Sequence, residues 1–235
     1  MTTETNHTEG ATTSEPGPDA SGIPFCDRLH HVAPATDFVG VDGRRIDDFW
    51  AWAYDNLMTN TNRGRLAEFL VGSALGVLDV PRVEYDVVDL RYRDFGIEVK
   101  ACGYLQAWPQ RQLSTPVFGI APRFPDTTVP GVPHVARHWA DCYVFCLFTP
   151  TRHEDANPVV VANWQFYPLA TSKLPPEQKS LGLAALRDRG VLPVPLNGLR
   201  DAVDRELRLA TPSSQSGGSL QTRHSTAEPS GTGSA

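Results

Sequence analysis

The sequence has no long apolar run and few cysteines. No segment approaches the ~18 to 20 consecutive apolar residues of a membrane-spanning helix, and residues 1–15 are polar and acidic, unlike a secretory signal. The four cysteines (Cys26, Cys102, Cys142 and Cys146) show no C-x-x-C spacing. These absences argue against a membrane protein, a disulfide framework and a zinc ribbon. They predict a cytoplasmic protein whose cysteines behave as buried apolar residues.

The chain also lacks a strong excess of either charge. Its 235 residues carry a formal net charge of -6, and residues 1–24 hold four carboxylates without a Lys or Arg. The rest of the chain is therefore close to neutral. Because a neutral chain can still carry a local basic surface, composition neither supports nor excludes nucleic acid as a partner.

Large apolar side chains are scarce at both ends of the sequence. Residues 1–24 consist mainly of Thr, Ser, Gly, Pro and acidic residues, and residues 211–235 are rich in Ser and Gly. Such compositions bury too little surface to offset the entropy of ordering. We therefore predict a disordered acidic arm over 1–24, one folded domain over 25–210, and a disordered tail over 211–235.

Hydrophobic periodicity predicts helices that are followed by strands. Helices are predicted at 47–58, 63–78 (with Asn62 as N-cap) and 197–209, and strands at 85–92, 96–102, 141–148 and 163–169. The continuous apolar run at 141–148 is typical of a buried central strand, and Pro168 places the last strand at an edge. This order predicts an α/β domain with a mixed β-sheet flanked by helices. Trp50 and Trp52 of the first helix are expected in the core, with base stacking as the alternative.

The strands at 85–92 and 96–102 predict a hairpin whose register can be inferred. If Asp89 lies opposite Glu98, both apolar pairs fall on one face, namely Val88 with Val99 and Leu90 with Ile97. Successive side chains of a strand alternate between faces. Asp89, Glu98 and Lys100 then share the other face, with the two carboxylates opposed.

Two opposed carboxylates repel each other unless a cation lies between them. Hard oxygen ligands suit Mg²⁺ or Mn²⁺, which proteins bind through one or two carboxylates together with water and phosphate oxygens. Lys100 on the same face could orient a metal-bound water or neutralise charge while a phosphodiester is attacked. The alternative is a solvent-facing strand side that carries ordinary charges.

Asp89 and the Glu98-Val99-Lys100 triplet, with Glu68 on the preceding predicted helix, resemble the PD-(D/E)XK phosphodiesterase superfamily, which has the restriction-endonuclease-like fold. The chain also resembles an uncharacterised bacterial branch of that superfamily from Asn62 to about Leu207, through the stretches NRGRLAEFL, IEVKACGYLQAW, ADCYVFCLF, NWQFYPL and QKSLGLAAL. The sequence departs from the pattern in having no Pro before Asp89. Asp86 is a rival for the place of Asp89, but it falls on the apolar face in the predicted register.

The resemblance implies a role for each matching residue. Asp89 and Glu98 would be metal ligands, the Val99 backbone carbonyl a third ligand, and Glu68 the helix acid that completes the site. Lys100 would be the catalytic lysine. Gln106, just beyond the strand, would lie near the metal or the substrate backbone as a further catalytic residue.

The implied function is that of a Mg²⁺- or Mn²⁺-dependent deoxyribonuclease, a hydrolase that cleaves phosphodiester bonds in DNA by metal-activated water. Basic residues near the hairpin could position the DNA backbone, namely Arg63, Arg91, Arg93 and Arg111. The alternative is a non-catalytic module of the same fold that binds DNA or protein. DNA is the expected partner, no membrane association is expected, and a homodimer is left open.

Overall fold

The computed structural model describes residues 32–82, 86–125 and 134–208. The predicted arms, 1–24 and 211–235, lie outside these described residues. The chain divides into two compact units, Met1–Asp55 and Asn56–Ala235. None of the helices in the described ranges combines the length and the apolar character of a membrane span.

The described part of the first unit consists of turns followed by helix α1, Ile46–Tyr54. The Arg45 backbone N–H donates to Asp48 Oδ2 at 2.8 Å, which satisfies one of the free N–H groups at the start of the helix. No residue of α1 is buried, and Trp52 is 78% exposed. The expectation that Trp50 and Trp52 lie in the core is therefore wrong. A nine-residue helix among turns offers too little apolar surface, within the described residues of this unit, to bury them.

The second unit contains a mixed sheet flanked by helices, as the sequence predicts. The strands of its larger sheet are β1 Leu90–Tyr92, β2 Phe95–Gly103, β4 Cys142–Phe148 and β5 Trp164–Ala170. They lie in the order β1-β2-β4-β5, in which β2 and β4 are parallel and the other pairs antiparallel. A smaller antiparallel sheet pairs β3, Val117–Gly119, with β6, Ser180–Gly182. The helices are α2 Asn60–Leu75, α3 Leu183–Asp188 and α4 Leu196–Arg208.

Helix α2 begins and ends earlier than the apolar period predicts. The Thr59 hydroxyl accepts a hydrogen bond from the Asn62 backbone N–H, so Thr59 is the N-cap and the predicted cap at Asn62 is wrong. The helix ends at Gly76, whose φ of 71° lies in the left-handed region that glycine adopts at little cost. The apolar residues after Gly76 continue the period of the helix without belonging to it.

The four-stranded sheet is covered on both faces. Helices α2 and α4 pack on one face, where the buried cluster includes Val71, Leu75, Val99, Val144, Phe166 and Val203. The small sheet and α3 contribute to the cluster on the other face, which includes Phe118, Phe145, Tyr167, Leu181 and Leu186. All seven residues of β4 are buried, which confirms the predicted central strand. Strand β5, which contains Pro168, lies at the edge as predicted.

The β1–β2 hairpin has the predicted register where its ladder forms. Its pairs are Leu90 with Ile97, Arg91 with Gly96, and Tyr92 with Phe95. The expected pairing of Val88 with Val99 is wrong, because Val88 packs in the buried cluster on the opposite face of the sheet from Leu90. The absence of a side chain at Gly96 leaves room for it: a Cβ there would lie 2.7 Å from Val88 Cγ1. The chain therefore leaves the alternating pattern before Leu90.

We expect the buried thiols of the second unit to be unreactive in the folded protein. Cys102, Cys142 and Cys146 are free and buried, and burial raises the pKa of Cys102 and Cys142 to about 12. At about pH 8 their thiolate fraction is small, and access to the sulfur is blocked. Iodoacetamide should label these positions only after denaturation in guanidinium, as measured by peptide mass spectrometry. Rapid labelling of native Cys146 would contradict the packing of β4.

Candidate functional site

Glu98 is the most deeply buried carboxylate of the hairpin. It lies on β2 between β1 and β4, next to Tyr143 on the parallel neighbour, and is only 2% exposed. An ionised carboxylate loses its hydration when it is buried, so it is tolerated only if cations and hydrogen-bond donors replace the lost water. The surroundings of Glu98 therefore decide what this part of the molecule can do.

Two cationic side chains contact the Glu98 carboxylate. Lys100 Nζ lies 2.5 Å from Glu98 Oε1, on the strand face that the alternation predicts. Arg123 Nη2 lies 2.8 Å from both carboxylate oxygens. The side chains of Lys100 and Arg123 are 28% and 51% exposed, so the acid is inside while its partners reach the surface.

Asp89 joins this group just before β1 begins. Its Oδ2 accepts a hydrogen bond from the Val99 backbone N–H at 2.7 Å, and its own N–H donates to the Ile97 carbonyl at 3.1 Å. The carboxylate thus replaces a backbone acceptor beyond the end of the ladder. Because the N–H and C=O of one residue in an extended strand point the same way, the Val99 carbonyl faces the side of Asp89.

The two acids are coupled electrostatically. Burial raises the pKa of Glu98, and the nearby charge of Asp89 raises it further, while Lys100 and Arg123 oppose the shift. Burial prevails because the carboxylate is almost completely removed from water. The structure therefore brings together Asp89, Glu98 and Lys100, the three residues that the hairpin pattern predicts on one side.

The oxygen donors present suit a hard divalent cation, although the described residues do not form a complete set of side-chain ligands. No group of three or more His, Cys, Asp or Glu side chains in those ranges is placed to hold a metal ion. Two carboxylates and the Val99 carbonyl, completed by water, fit the usual coordination of Mg²⁺. The Glu98 oxygens, however, already accept from Lys100 and Arg123. In the metal-free protein, the charges of Lys100 and Arg123 therefore offset part of the repulsion between the two acids.

Glu68 lies on α2 as predicted but has a different partner from the one implied. Its Oε2 lies 2.5 Å from Arg82 Nε. Both residues line a cavity of about 500 Å³ that Asp89 also borders. Asp86, the rival of Asp89, pairs with Arg91 at 2.7 Å on the wall of the same cavity. The structure thus places Glu68 and Asp89 on one cavity and gives Glu68 an arginine partner.

Gln106 and Arg63 form a separate structural group at the far end of β2. Gln106 Nε2 donates to the Gly103 carbonyl and to Ser114 Oγ, and its Oε1 accepts from Arg63. Arg63 is 3% exposed and donates to the Leu105 carbonyl at 2.9 Å. Arg63 is too deeply buried to contact a DNA backbone, so that expectation is wrong. Its cationic head anchors the loop that follows β2.

The other arginines proposed to contact DNA lie nearer the surface. Arg93 pairs with Asp204 and stacks over the Tyr92 ring, with its guanidinium carbon 4.7 Å from the ring centroid. Arg91 pairs with Asp86, and Arg111 is exposed. These positions are compatible with contacts to a polyanion, although Arg91 and Arg93 are already engaged with acids.

Sequence reasoning missed Arg123 and Tyr143. Arg123 is 25 residues from Glu98, and no local periodicity relates the two positions. Tyr143 lies beside Glu98, and its hydroxyl is 3.1 Å from His138 Nδ1. Burial raises the pKa of Tyr143 well above its usual value, so the hydroxyl stays protonated. The parallel pairing of β2 with β4 would have indicated Tyr143, but the strand order is not apparent from the sequence.

No protein-family model, curated protein or solved structure matches this chain. The resemblance to the PD-(D/E)XK superfamily therefore remains a prediction that rests on the residues themselves.

We expect Arg63 to be a major determinant of stability. Arg63→Leu removes the donors to Leu105 and Gln106, so it should lower the free energy of unfolding by about 2 to 4 kcal/mol in a urea titration. The matched control is Arg111→Leu at an exposed position, which should change it by about 0.5 kcal/mol or less. Equal effects of the two substitutions would contradict the anchoring role.

The raised pKa of Glu98 predicts how stability depends on pH. Its favourable contribution is complete below the ordinary carboxyl value of 4.5 and is lost as the pH rises through the raised pKa, because the folded state then has to bury a charge. The amide introduced by Glu98→Gln cannot ionise. The stability of this variant relative to the wild type should therefore increase with pH over that interval.

Urea unfolding of the metal-free protein from about pH 4 to 8 measures this difference. Glu154→Gln, at an exposed carboxylate, is the control and should show no comparable trend. If the relative stability of Glu98→Gln fell as the pH rose, the attraction of Lys100 and Arg123 would outweigh the burial of Glu98.

Proposed function

We propose that this protein is a Mg²⁺-dependent nuclease that hydrolyses phosphodiester bonds in DNA, with Mn²⁺ as an alternative ion, and that its fold is restriction-endonuclease-like. The observation that carries the proposal is the grouping of Asp89, Glu98 and Lys100 around one hairpin, with Glu98 buried and Lys100 reaching solvent. The hairpin follows α2, which carries Glu68, as the resemblance implies.

Each of the three residues has a definite task in this proposal. Asp89 and Glu98 would hold the ion together with the Val99 carbonyl, and the ion when bound would supply an activated water and polarise the phosphate. Lys100 would hold that water in position or offset the charge that develops on the phosphate oxygens. Since its head group is only partly exposed, its charge is screened less than that of a surface lysine.

The sheet favours this chemistry because it fixes the groups in advance. Glu98 and Lys100 lie on the same strand, and β2 pairs with β4 along its length from Ile97 to Gly103. Asp89 is tied to the same strand through Val99. Groups on paired strands keep their geometry better than groups on loops, and preorganised charges need little rearrangement during the reaction.

The surface beside the site is suited to a polyanion. The cavity that Asp89 borders is also lined by Arg65, Arg82 and Arg91. Arginine is well suited to bind phosphate oxygens and can exchange a carboxylate partner for a phosphate. A DNA backbone that crosses this surface would bring a phosphodiester close to Asp89.

The second candidate is a non-catalytic module of the same fold that binds DNA or protein. The observation that favours it is the neutralisation of Glu98 by Lys100 and Arg123 without a metal ion. A carboxylate with two cationic partners has its charge compensated and its oxygens hydrogen-bonded, and such a group can be purely structural. Turnover with a divalent cation distinguishes the two candidates.

The nuclease proposal predicts that Lys100 is essential for cleavage and dispensable for metal binding. Purified protein should cleave DNA in the presence of Mg²⁺ or Mn²⁺, with linear, nicked, branched and single-stranded forms as the substrates tested. Lys100→Ala should lower the rate by about 100-fold or more, the scale of losing one charge-stabilising group, while Mn²⁺ still binds. Lys173→Ala, at a lysine paired with Glu206, is the matched control and should cleave like the wild type.

Two outcomes would count against the nuclease. Cleavage that survives Lys100→Ala would assign the activity to another site or to a contaminant. DNA binding without cleavage under any of these conditions, and without a response to Mg²⁺ or Mn²⁺, would favour the non-catalytic module.

A further inference from the structure

Arg123 is anchored through its backbone independently of its contact with Glu98. Its N–H donates to the Arg137 carbonyl at 3.2 Å, and the Arg137 N–H donates back to the Arg123 carbonyl at the same distance. The indole N–H of Trp139, which is itself buried, also donates to the Arg123 carbonyl, at 2.8 Å. The base of this side chain would therefore stay in place if the guanidinium left Glu98.

The guanidinium itself is loosely held compared with its backbone. The Arg123 side chain is 51% exposed, and one nitrogen, Nη2, makes both contacts to Glu98. It does not form the two parallel hydrogen bonds that give an arginine–carboxylate pair its strongest geometry. A half-exposed ion pair of this kind is partly screened by water, so breaking it costs little on the side of the arginine.

Lys100 differs from Arg123 in its connection to the site. It lies two residues from Glu98 on the same strand, so the paired strands fix its backbone beside the acid, and its side chain is 28% exposed. Arg123 reaches the acid from the segment that follows β3. Of these two cations, Arg123 has the more exposed side chain, so it is the better candidate to exchange Glu98 for a partner on the solvent side.

The charge balance shows why Arg123 would have to move. In the metal-free state the two acids, Asp89 and Glu98, lie with two cations, Lys100 and Arg123. A divalent cation added to this neutral group would meet two positive neighbours and a carboxylate whose oxygens are already occupied. A phosphodiester offsets one of the two added positive charges and can accept hydrogen bonds from the arginine.

We propose that Arg123 covers Glu98 in the metal-free protein and transfers to a phosphodiester of the substrate when a divalent cation binds, so that the cation and DNA bind cooperatively. This inference rests on the proposed function and specifies how the site is loaded. Arg123 then has two roles: it competes with the cation for Glu98 in the absence of DNA, and it binds phosphate in its presence.

The test measures Mn²⁺ binding to the full chain, with free Mn²⁺ followed by electron paramagnetic resonance. The DNA probe is a duplex with phosphorothioate linkages, which keep the backbone charge and resist hydrolysis. The wild type should bind Mn²⁺ weakly alone and about tenfold or more tightly with the DNA, and Mn²⁺ should raise the affinity for the DNA by the same factor.

Arg123→Gln removes the competitor and the phosphate contact together. This variant should bind Mn²⁺ about tenfold more tightly than the wild type in the absence of DNA, and the DNA should then add little. Arg152→Gln is the matched control, because Arg152 is an exposed arginine that pairs with Glu154 and Asp155, and it should behave like the wild type. Arg123→Lys, which keeps the charge, should lie between them and serves if Arg123→Gln folds poorly.

The outcomes separate this inference from the function on which it rests. Tight Mn²⁺ binding by the wild type alone, unchanged by DNA or by Arg123→Gln, would overturn the role of Arg123 and leave a metal-dependent nuclease intact. Absence of Mn²⁺ binding in every variant, with and without DNA, would overturn the proposed function and this inference with it.

Discussion

The burial of the Glu98 carboxylate is the constraint on which the rest of the site depends. A charge that is 2% exposed needs nearby cations, and Lys100 and Arg123 meet that need from different parts of the chain. Such an arrangement is weak evidence for stability, because well-packed apolar residues in place of a buried ion pair are often as stable or more so. Stability alone therefore does not explain a buried carboxylate at this position, and the nuclease proposal would give Glu98 a task as a metal ligand.

The sheet fixes the position of the buried Glu98 residue. Strand β2 pairs with β4 from Ile97 to Gly103, so the backbone positions of Glu98 and Lys100 are fixed by this pairing. Asp89 lies where the short ladder of β1 ends, and its carboxylate takes up the free Val99 N–H. Asp89, just before β1 begins, is thereby held near Glu98. Asp89 also borders the cavity next to α2.

The sequence predicts those parts of the site that follow from local alternation. The pairing of Leu90 with Ile97 follows from the period-two pattern of apolar residues. The same alternation along β2 places Lys100 on the same face as Glu98. The predicted alternation is wrong at Val88. Because Gly96 has no side chain, the Val88 side chain packs against it on the other face of the sheet. Contacts between distant segments leave no local pattern in the sequence. The sequence does not show that Arg63 is buried and donates to the Leu105 carbonyl. Nor does it show that Arg123 contacts Glu98, which is 25 residues away.

The difference between the two cations on Glu98 follows from how each is attached. Lys100 lies two residues from Glu98 on the same paired strand, and its side chain is only 28% exposed. An arginine from another segment, held by its backbone and half exposed in its side chain, can change partners while the fold stays the same. The metal-free group of two acids and two cations is neutral. A bound divalent cation would add two positive charges, of which one phosphodiester offsets one. Because an uncompensated charge beside a buried carboxylate is strongly unfavourable, the proposed transfer of Arg123 to a phosphate would lower the excess positive charge around Glu98 when a cation binds.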